Sequence, residues 1–324
     1  MAIVWTGVGL VLLLGGGDLL VRGASGLARS FGVQPLVIGL TVVAFGTSAP
    51  ELAVNLAAGL DHQTGIAFGN VIGSNLSNIG LILGLTALLF RLDVESRIVV
   101  RELPLMILVA IVILTISADP LLNGADTQVI DRTDGILLLL FFSIFMYTVV
   151  GDVVRNRPED PLVDQAIDTA SRGKGRSIAL QISMTIGGLA ALILGGDFTT
   201  DGASEIARDM GVPDHLIGLT MVAIGTSLPE LVTCLLAARR GEVDLAVGNV
   251  VGSNLFNGLF ILGTTATIFP VPVPPGGLFD LGANLLFSIG LLVLSWTHRR
   301  QIVRREGLVL LIAWGAYIVW RFLG

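Results

Sequence analysis

Apolar residues run along this chain in blocks of about twenty, the length a helix needs to cross a bilayer, separated by short polar punctuation. They predict ten spans, near residues 2–21, 33–60, 64–90, 98–117, 134–152, 177–197, 212–238, 243–269, 278–297 and 305–323. The first block has neither a basic leader nor a small-x-small cleavage site, so it reads as a first helix, not a removed signal peptide. One long polar stretch, 151–177, separates the fifth block from the sixth and reads as a connecting loop. Two blocks are interrupted from within, the second by GTSAPELAV (46–54) and the seventh by GTSLPELVT (225–233).

Composition agrees with the pattern. The 324 residues are 53% hydrophobic and only 14% charged, against about 25% charged in soluble domains, and the mean hydropathy is +0.85. These values exclude a soluble globular protein. The 41 glycines suit helices that associate by close backbone approach. The one cysteine, Cys234, excludes a disulfide framework or a Cys-based metal site within a single chain.

Lys and Arg set the expected orientation, because cytoplasmic loops of membrane proteins carry the positive excess. The loops after spans 1, 3, 5, 7 and 9 hold 16 of the 19 basic residues, among them Arg22, Arg29, Arg97, Arg101, Lys174, Arg240 and Arg304. Loops after even spans hold only Arg132 and Arg208, and Arg321 ends the chain. The odd loops are therefore expected in the cytoplasm, with both termini outside.

The two halves align at a constant offset of 179 residues, without a gap, from Gly16 to beyond Gly84. GGDLLVRGASGLARSFGV (16–33) matches GGDFTTDGASEIARDMGV (195–212). VIGLTVVAFGTSAPEL (37–52) matches LIGLTMVAIGTSLPEL (216–231), and FGNVIGSNLSNIGLILG (68–84) matches VGNVVGSNLFNGLFILG (247–263). Five spans per copy make the second copy enter the membrane from the opposite side. The predicted fold is an all-α integral membrane protein of ten transmembrane helices, arranged as two inverted five-helix repeats. The first repeat is 1–152 with its motif at 37–84, and the second is 177–324 with its motif at 216–263. A cytoplasmic connecting loop, 153–176, joins them. Inverted repeats are the architecture of many secondary transporters, with the substrate site at the midplane between halves.

The chemistry lies in those motifs. Glu51 and Glu230 fall near the middle of spans 2 and 7, where a charge costs about 2.5–3.5 kcal/mol on insertion scales. No basic side chain is at hand: the only Lys, Lys174, is in a loop, and His62, His215 and His298 sit at span ends. The remaining ways to balance each carboxyl are a bound cation or a proton. Pro50 and Pro229 release the carbonyls of Gly46 and Gly225 four residues back. Neighbouring carbonyls at Ala44 and Thr47, and at Ala223 and Thr226, become candidate ligands, and Thr47, Ser48, Thr226 and Ser227 add hydroxyls. Spans 3 and 8 supply Ser74 and Asn78, and Ser253 and Asn257, each pair four residues apart on one helical face. Asn75 and Asn254 are further polar groups there, while Asn70 and Asn249 can tie the broken backbone through their amides. Carboxylate, carbonyl, hydroxyl and amide oxygen without thiolate or imidazole suits a hard cation such as Ca2+. Two carboxylates balance one Ca2+ or two Na+.

Plainer roles exist for some of these residues. Gly69, Gly73 and Gly80 read as helix-packing positions, and Asn and Ser in membrane helices often only bond neighbouring helices. Asp18 and Asp197 match across the repeats near span ends, where capping or gating competes with ion contact. Asp119, Asp126, Asp131, Asp201 and Asp214 in the outer loops read as solvated charges that attract cations weakly.

The doubled motifs GTSAPEL…GNVIGSNLSN and GTSLPEL…GNVVGSNLFN resemble the two α-repeats of the cation/calcium antiporter superfamily, and most closely its prokaryotic sodium/calcium exchanger branch. The resemblance covers essentially the whole chain. It implies Glu51 and Glu230 as central cation ligands, with Ala44, Thr47, Ser48, Ala223, Thr226 and Ser227 from the motifs. Ser74, Asn78, Ser253 and Asn257 complete the set. It also implies that spans 1 and 6 slide across the remaining bundle to alternate access. Many family members carry Asp where this chain has Asn257, so here the site has two formal carboxylates rather than three.

The expected function is a cytoplasmic-membrane antiporter exchanging Ca2+ for Na+, with those ions and the lipid bilayer as its partners, no cofactor and no nucleic acid. H+/Ca2+ exchange through the same site is the alternative, because a buried Glu can carry a proton when no cation is bound. A cation channel is a further class, distinguished by flux that needs no counter-ion gradient. An enzyme is not expected: the spans lack a His or Lys base for Ser, and there is no HExxH motif.

Overall fold

The computed structural model describes residues 2–61, 63–118, 128–155, 178–210, 223–298 and 300–323. They are almost entirely helical. In chain order the helical segments are α1 (Ala2–Phe31), α2 (Pro35–Leu60), α3 (Gly65–Leu89), α4 (Ile98–Ser117), α5 (Arg132–Arg155) and α6 (Ile178–Asp209). They continue with α7 (Ala223–Thr226 and Leu228–Arg239), α8 (Val243–Ile268), α9 (Gly277–Trp296) and α10 (Arg304–Leu323). Eight of them, α1 to α6 with α8 and α9, are long and apolar enough to cross a membrane by length and composition. The described C-terminal piece of α7 has 12 residues, and α10 opens on Arg304, Arg305 and Glu306. The start of the seventh predicted span, most of the 153–176 loop, and Asp119, Asp126 and Asp214 lie outside the described residues.

Two predicted boundaries need correction. α1 has 30 residues and α6 has 32, or about 45–48 Å at 1.5 Å per residue, whereas the first and sixth spans were expected to end near 21 and 197. Arg22, Arg29 and Arg208 therefore ride on helices and are not loop residues. A backbone ladder does not stop at a charge that can reach solvent, and Arg29 is 67% exposed. Arg97 and Arg101, counted with the cytoplasmic charge, pair with the fully buried Glu102 at 3.3 and 2.7 Å.

α8 forms the centre of the bundle: its apolar window is 94% buried, against 22% for α5 at the periphery. α1 and α6 run antiparallel in close contact along their length. Glycines seven residues apart, two helical turns, make that approach possible. A Cβ at Gly16 would lie 2.8 Å from Ala191 Cβ and 2.9 Å from Gly188 O, and one at Gly195 would lie 2.8 Å from Gly9 O. Gly9 and Gly188, like Gly16 and Gly195, are 179 residues apart, so these are one contact repeated.

Four two-residue strands lace the ends of the bundle. β1 (Leu92–Asp93) pairs antiparallel with β4 (Gln301–Ile302), Leu92 facing Ile302. β2 (Val129–Ile130) pairs with β3 (Val271–Pro272), Ile130 facing Val271. The first pair joins the segments after α3 and α9, and the second those after α4 and α8. Odd connections thus meet at one end and even connections at the other, the parity that a serpentine chain of spans requires.

The two ends differ. At the odd end Asp18 of α1 pairs with Arg22 at 2.8 Å and with Arg240 beyond α7, and Arg29 pairs with Glu242 at 3.2 Å. Gly17 seats beneath α7 there, its Cβ position 2.8 Å from Leu236 Cδ1 and 2.9 Å from Val232 Cγ1. The repeat-related Gly196 instead comes nearest Gly225 O at 3.5 Å, while Ala53 and Ala57, the counterparts of Val232 and Leu236, are exposed. The odd end is held shut by these ion pairs and by the close seating of Gly17 beneath α7.

Candidate cation site

α2 is not one continuous α-helix. An α-turn (Pro35–Ile38) leads into a π-helical turn (Gly39–Val43) and a second α-turn (Ala44–Thr47), and the helix breaks at Ser48, with φ −85° and ψ 6°. It resumes at Ala49 with Pro50 and Glu51 in its first turn. α7 repeats the break at Ser227, φ −89° and ψ 1°, and resumes with Pro229 and Glu230. The reason is local: Pro cannot donate to the preceding turn and fits only where a helix begins. Each Glu therefore sits at the start of a half-helix, where free N–H groups and the positive dipole end favour an anion. Gly46 and Gly225 serve close approach as well as bending, because a Cβ at Gly46 would meet Leu189 at 2.5 Å and one at Gly225 would meet Thr200. Gly46 O is not fully released, since the Ser48 N–H reaches it together with Ala44 O.

Glu51 and Glu230 are each 1% exposed. The motifs reach across to one another: Ser48 Oγ donates to Glu230 Oε1 at 3.3 Å, the Thr47 hydroxyl faces Glu230 and that of Thr226 faces Glu51. Ser74 Oγ, from α3, donates to Glu51 Oε1 at 3.5 Å. The expectation for Asn70 holds, its amide donating to Glu51 O at 3.1 Å. Its counterpart Asn249 uses its oxygen instead, accepting from Thr47 Oγ1 at 3.2 Å. Ala44 O accepts the Ser48 N–H at 3.0 Å, and Ala223 is the first described residue of α7.

Seven buried oxygens of the predicted set have no hydrogen-bond partner among the described residues. They are Oε2 of Glu51 and Glu230, Oδ1 of Asn78 and Asn257, Oγ1 of Thr226, and Oγ of Ser227 and Ser253. Buried polar atoms are rarely left unpaired. The buried polar side chains include no Lys, Arg or His among the described residues, and no third Asp, Glu, His or Cys joins the two glutamates. An all-oxygen, two-carboxylate cradle without a basic partner has the composition for a hard cation.

Three features escaped the sequence. α3 and α8 each pass into a π-helical turn at this level, Asn78–Leu83 and Phe256–Ile261, a rare geometry concentrated at functional sites. Asn78 Nδ2 donates to Asn254 Oδ1 at 2.9 Å, and Asn257 Nδ2 to Asn75 Oδ1 at 3.1 Å. Asp18, left between capping, gating and ion contact, forms the ion pairs at the odd end. Of the glycines read as packing positions, Gly80 packs against Trp314, its Cβ position 2.8 Å from Trp314 Cγ. Gly69 is exposed, and nothing among the described residues lies within 4 Å of a Cβ there or at Gly73. Asp131, read as a solvated charge, is exposed and also caps α5 through the Thr133 N–H at 2.7 Å.

A bundle of membrane helices around paired buried carboxylates defines a multi-span membrane protein of the ion-transporter class. The chain belongs to the sodium/calcium exchanger protein family, which matches residues 1–151 and 180–323. It is 39% identical over 319 residues to the inner membrane protein YrbG of Escherichia coli K12, covering 97% of this chain and 93% of that one. Identity to the sodium/calcium exchanger MaX1 of Methanosarcina acetivorans is 33% over 336 residues, 96% of each chain. The fold superposes on a solved structure of the sodium-calcium exchanger NCX_Mj, soaked with 10 mM Na+ and zero Ca2+. The TM-score is 0.83, with 30% identity over 98% of both chains. The family is one of transporters, not of enzymes.

Proposed function

We propose that this protein is an antiporter of the cytoplasmic membrane that exchanges Ca2+ for Na+ by alternating access. Its ten spans form two inverted five-helix repeats, 1–152 and 177–324, with the 153–176 loop in the cytoplasm and both termini outside. The repeated Gly16–Gly188 and Gly9–Gly195 contacts and the parity of the strand pairs support that arrangement. Glu51 and Glu230 are the central ligands of both ions, completed by oxygens of Ala44, Thr47, Ser48, Ser74, Asn78, Ala223, Thr226, Ser227, Ser253 and Asn257. The observation that carries this reading is the set of oxygens around two buried carboxylates that have no hydrogen-bond partner and no buried basic residue among the described residues. Either ion neutralises the pair and lets the closed site cross a low-dielectric barrier, while the empty, ionised site is held back. That coupling makes an exchanger, not a leak.

Reconstituted vesicles given a Na+ gradient and a pH gradient separately decide the driving ion. Ca2+ uptake is expected with the first and not the second; the reverse identifies an H+ antiporter, and uptake with neither gradient a channel. In detergent, saturating Ca2+ is expected to raise the melting temperature, about 2.7 kcal/mol at a hundred times the dissociation constant. Na+ should compete and K+ should not.

The latched odd end makes a second prediction. The counterparts of Asp18, Arg22 and Arg240 at the even end are Asp197, Asp201 and Asp61, three acids that cannot form the same pairs. Arg240→Gln is therefore expected to favour opening of the odd end. In a Cys234→Ala background, a Leu236→Cys probe should react with maleimide about two- to fivefold faster once Arg240 is replaced, the scale of an exposed ion pair. An unchanged rate would show that the pairs do not hold that end shut.

A further inference from the structure

We infer that Asn75 and Asn254, neither of them a proposed cation ligand, are positioning residues that aim the side-chain oxygens of Asn257 and Asn78 at the ion. This deepens the cation-site reading and rests on it. An amide has two faces of opposite character, a donating NH2 and an accepting oxygen, and only the oxygen can ligate a cation. Left free, a terminal amide turns broadly and presents either face. Here each NH2 is occupied: Asn257 Nδ2 donates to Asn75 Oδ1 at 3.1 Å, and Asn78 Nδ2 donates to Asn254 Oδ1 at 2.9 Å. With each NH2 engaged by the facing Asn, Oδ1 of Asn78 and Oδ1 of Asn257 are left buried without a partner among the described residues. Asn78 lies one turn beyond Ser74, whose hydroxyl reaches Glu51, so the two side chains share one face of α3.

The arrangement is reciprocal. Asn75 and Asn254 are 179 residues apart, as are Asn78 and Asn257, so the two bonds are one interaction repeated between opposite halves of the chain. Asn254 is held in turn, donating to Asn75 O at 3.4 Å, and all four side chains are at most 4% exposed. The pairing also makes sense of an amide at 257. An Asp there has oxygen at both ends of its fork and needs no orientation; an Asn presents oxygen only if a neighbour takes its NH2. Asn75 is that neighbour.

A double-mutant cycle reads this directly. Apparent Ca2+ affinity is measured by Ca2+-induced thermal shift on purified full-length protein, for wild type, Asn75→Leu, Asn257→Asp and the double variant. Asn75→Leu frees the Asn257 amide to turn its NH2 inward and is expected to weaken Ca2+ about tenfold, the scale of one misplaced buried polar group. In the Asn257→Asp background, where either fork end is oxygen, Asn75→Leu should cost nothing further. Asn75→Asp keeps an acceptor for the Asn257 NH2 and should retain the native orientation better than Asn75→Leu. Equal losses from Asn75→Leu in both backgrounds would mean that Asn75 only supports packing, and would overturn the inference. Should Asn75→Leu fail to fold, Asn254→Ala with and without Asn78→Asp supplies the repeat-related cycle with the same criteria. Absence of any Ca2+ shift in the wild type would instead defeat the cation-site reading itself, so the two failures are told apart.

Discussion

In proteoliposomes carrying Glu51→Gln, Na+-gradient-driven uptake of radiolabelled Ca2+ is expected to fall to background, and Glu230→Gln is expected to do the same. The substitution keeps the side chain's volume and removes one unit of charge from a site that is 1% exposed. Removing one partner of a buried charge pair costs about 3–5 kcal/mol, because the remaining charge is left uncompensated where water cannot help. At about 1.4 kcal/mol per decade, that is a loss of roughly two to three and a half orders of magnitude in Ca2+ affinity. No other acidic side chain among the described residues stands by to substitute. Stability separates this from a structural role. Two carboxylates buried in one site repel each other when both are ionised, so neutralising either should leave the cation-free melting temperature unchanged or raised, while abolishing its rise with Ca2+. Full transport in both variants would sink the paired-carboxylate mechanism. A large fall in the cation-free melting temperature would make the glutamates part of the scaffold.

Much of this site is legible without coordinates, for an identifiable reason. Glu51, Pro50, Ser48 and Thr47 announce themselves because each violates the apolar pattern around it and each recurs 179 residues later. A single irregularity in a membrane helix has many explanations, whereas a repeated one at matched depth has few. What stays hidden is whatever depends on which helices face each other. The π-helical turns at Asn78 and Phe256 shift a hydrogen-bond ladder by one residue and leave no distinctive composition. The Asn75–Asn257 pair joins residues 182 apart, and nothing in either motif says that the donor of one amide meets the oxygen of the other. Span ends are misread for a different reason. Arg22 and Arg29 stop a hydropathy window, but they do not stop a helix whose charged end reaches solvent and finds Asp18 and Glu242. The glycines of α1 are visible as abundance, yet only the packing of α1 on α6 shows which of them matter.

Neighbouring glycines of α1 should behave as opposites: Gly16→Val is expected to destabilise the protein severely, and Gly15→Val to be almost silent. At Gly16 the new Cβ would stand 2.8 Å from Ala191 Cβ and 2.9 Å from Gly188 O and Leu192 N, with backbone atoms among the obstacles. A flexible side chain can step aside, but a helix backbone moves only by separating the two helices. Overpacking of this kind costs about 1–3 kcal/mol in ordinary cores, and the upper end applies when the obstacle is main chain. At Gly15 a Cβ meets nothing within 4 Å, and the residue is exposed. Its substitution should stay within about 0.5 kcal/mol. α6 offers the same contrast: Gly188→Val would press on Leu20 N at 2.5 Å, while Gly187→Val meets nothing. Melting temperature in detergent and the yield of monodisperse protein check all four. In the proposed alternating-access mechanism α1 and α6 slide together against the bundle, so Gly16→Val protein that survives purification should also have lost Na+-driven Ca2+ uptake. Similar losses at Gly15 and Gly16 would mean that the glycines act by loosening the helix, not by bringing α1 and α6 together.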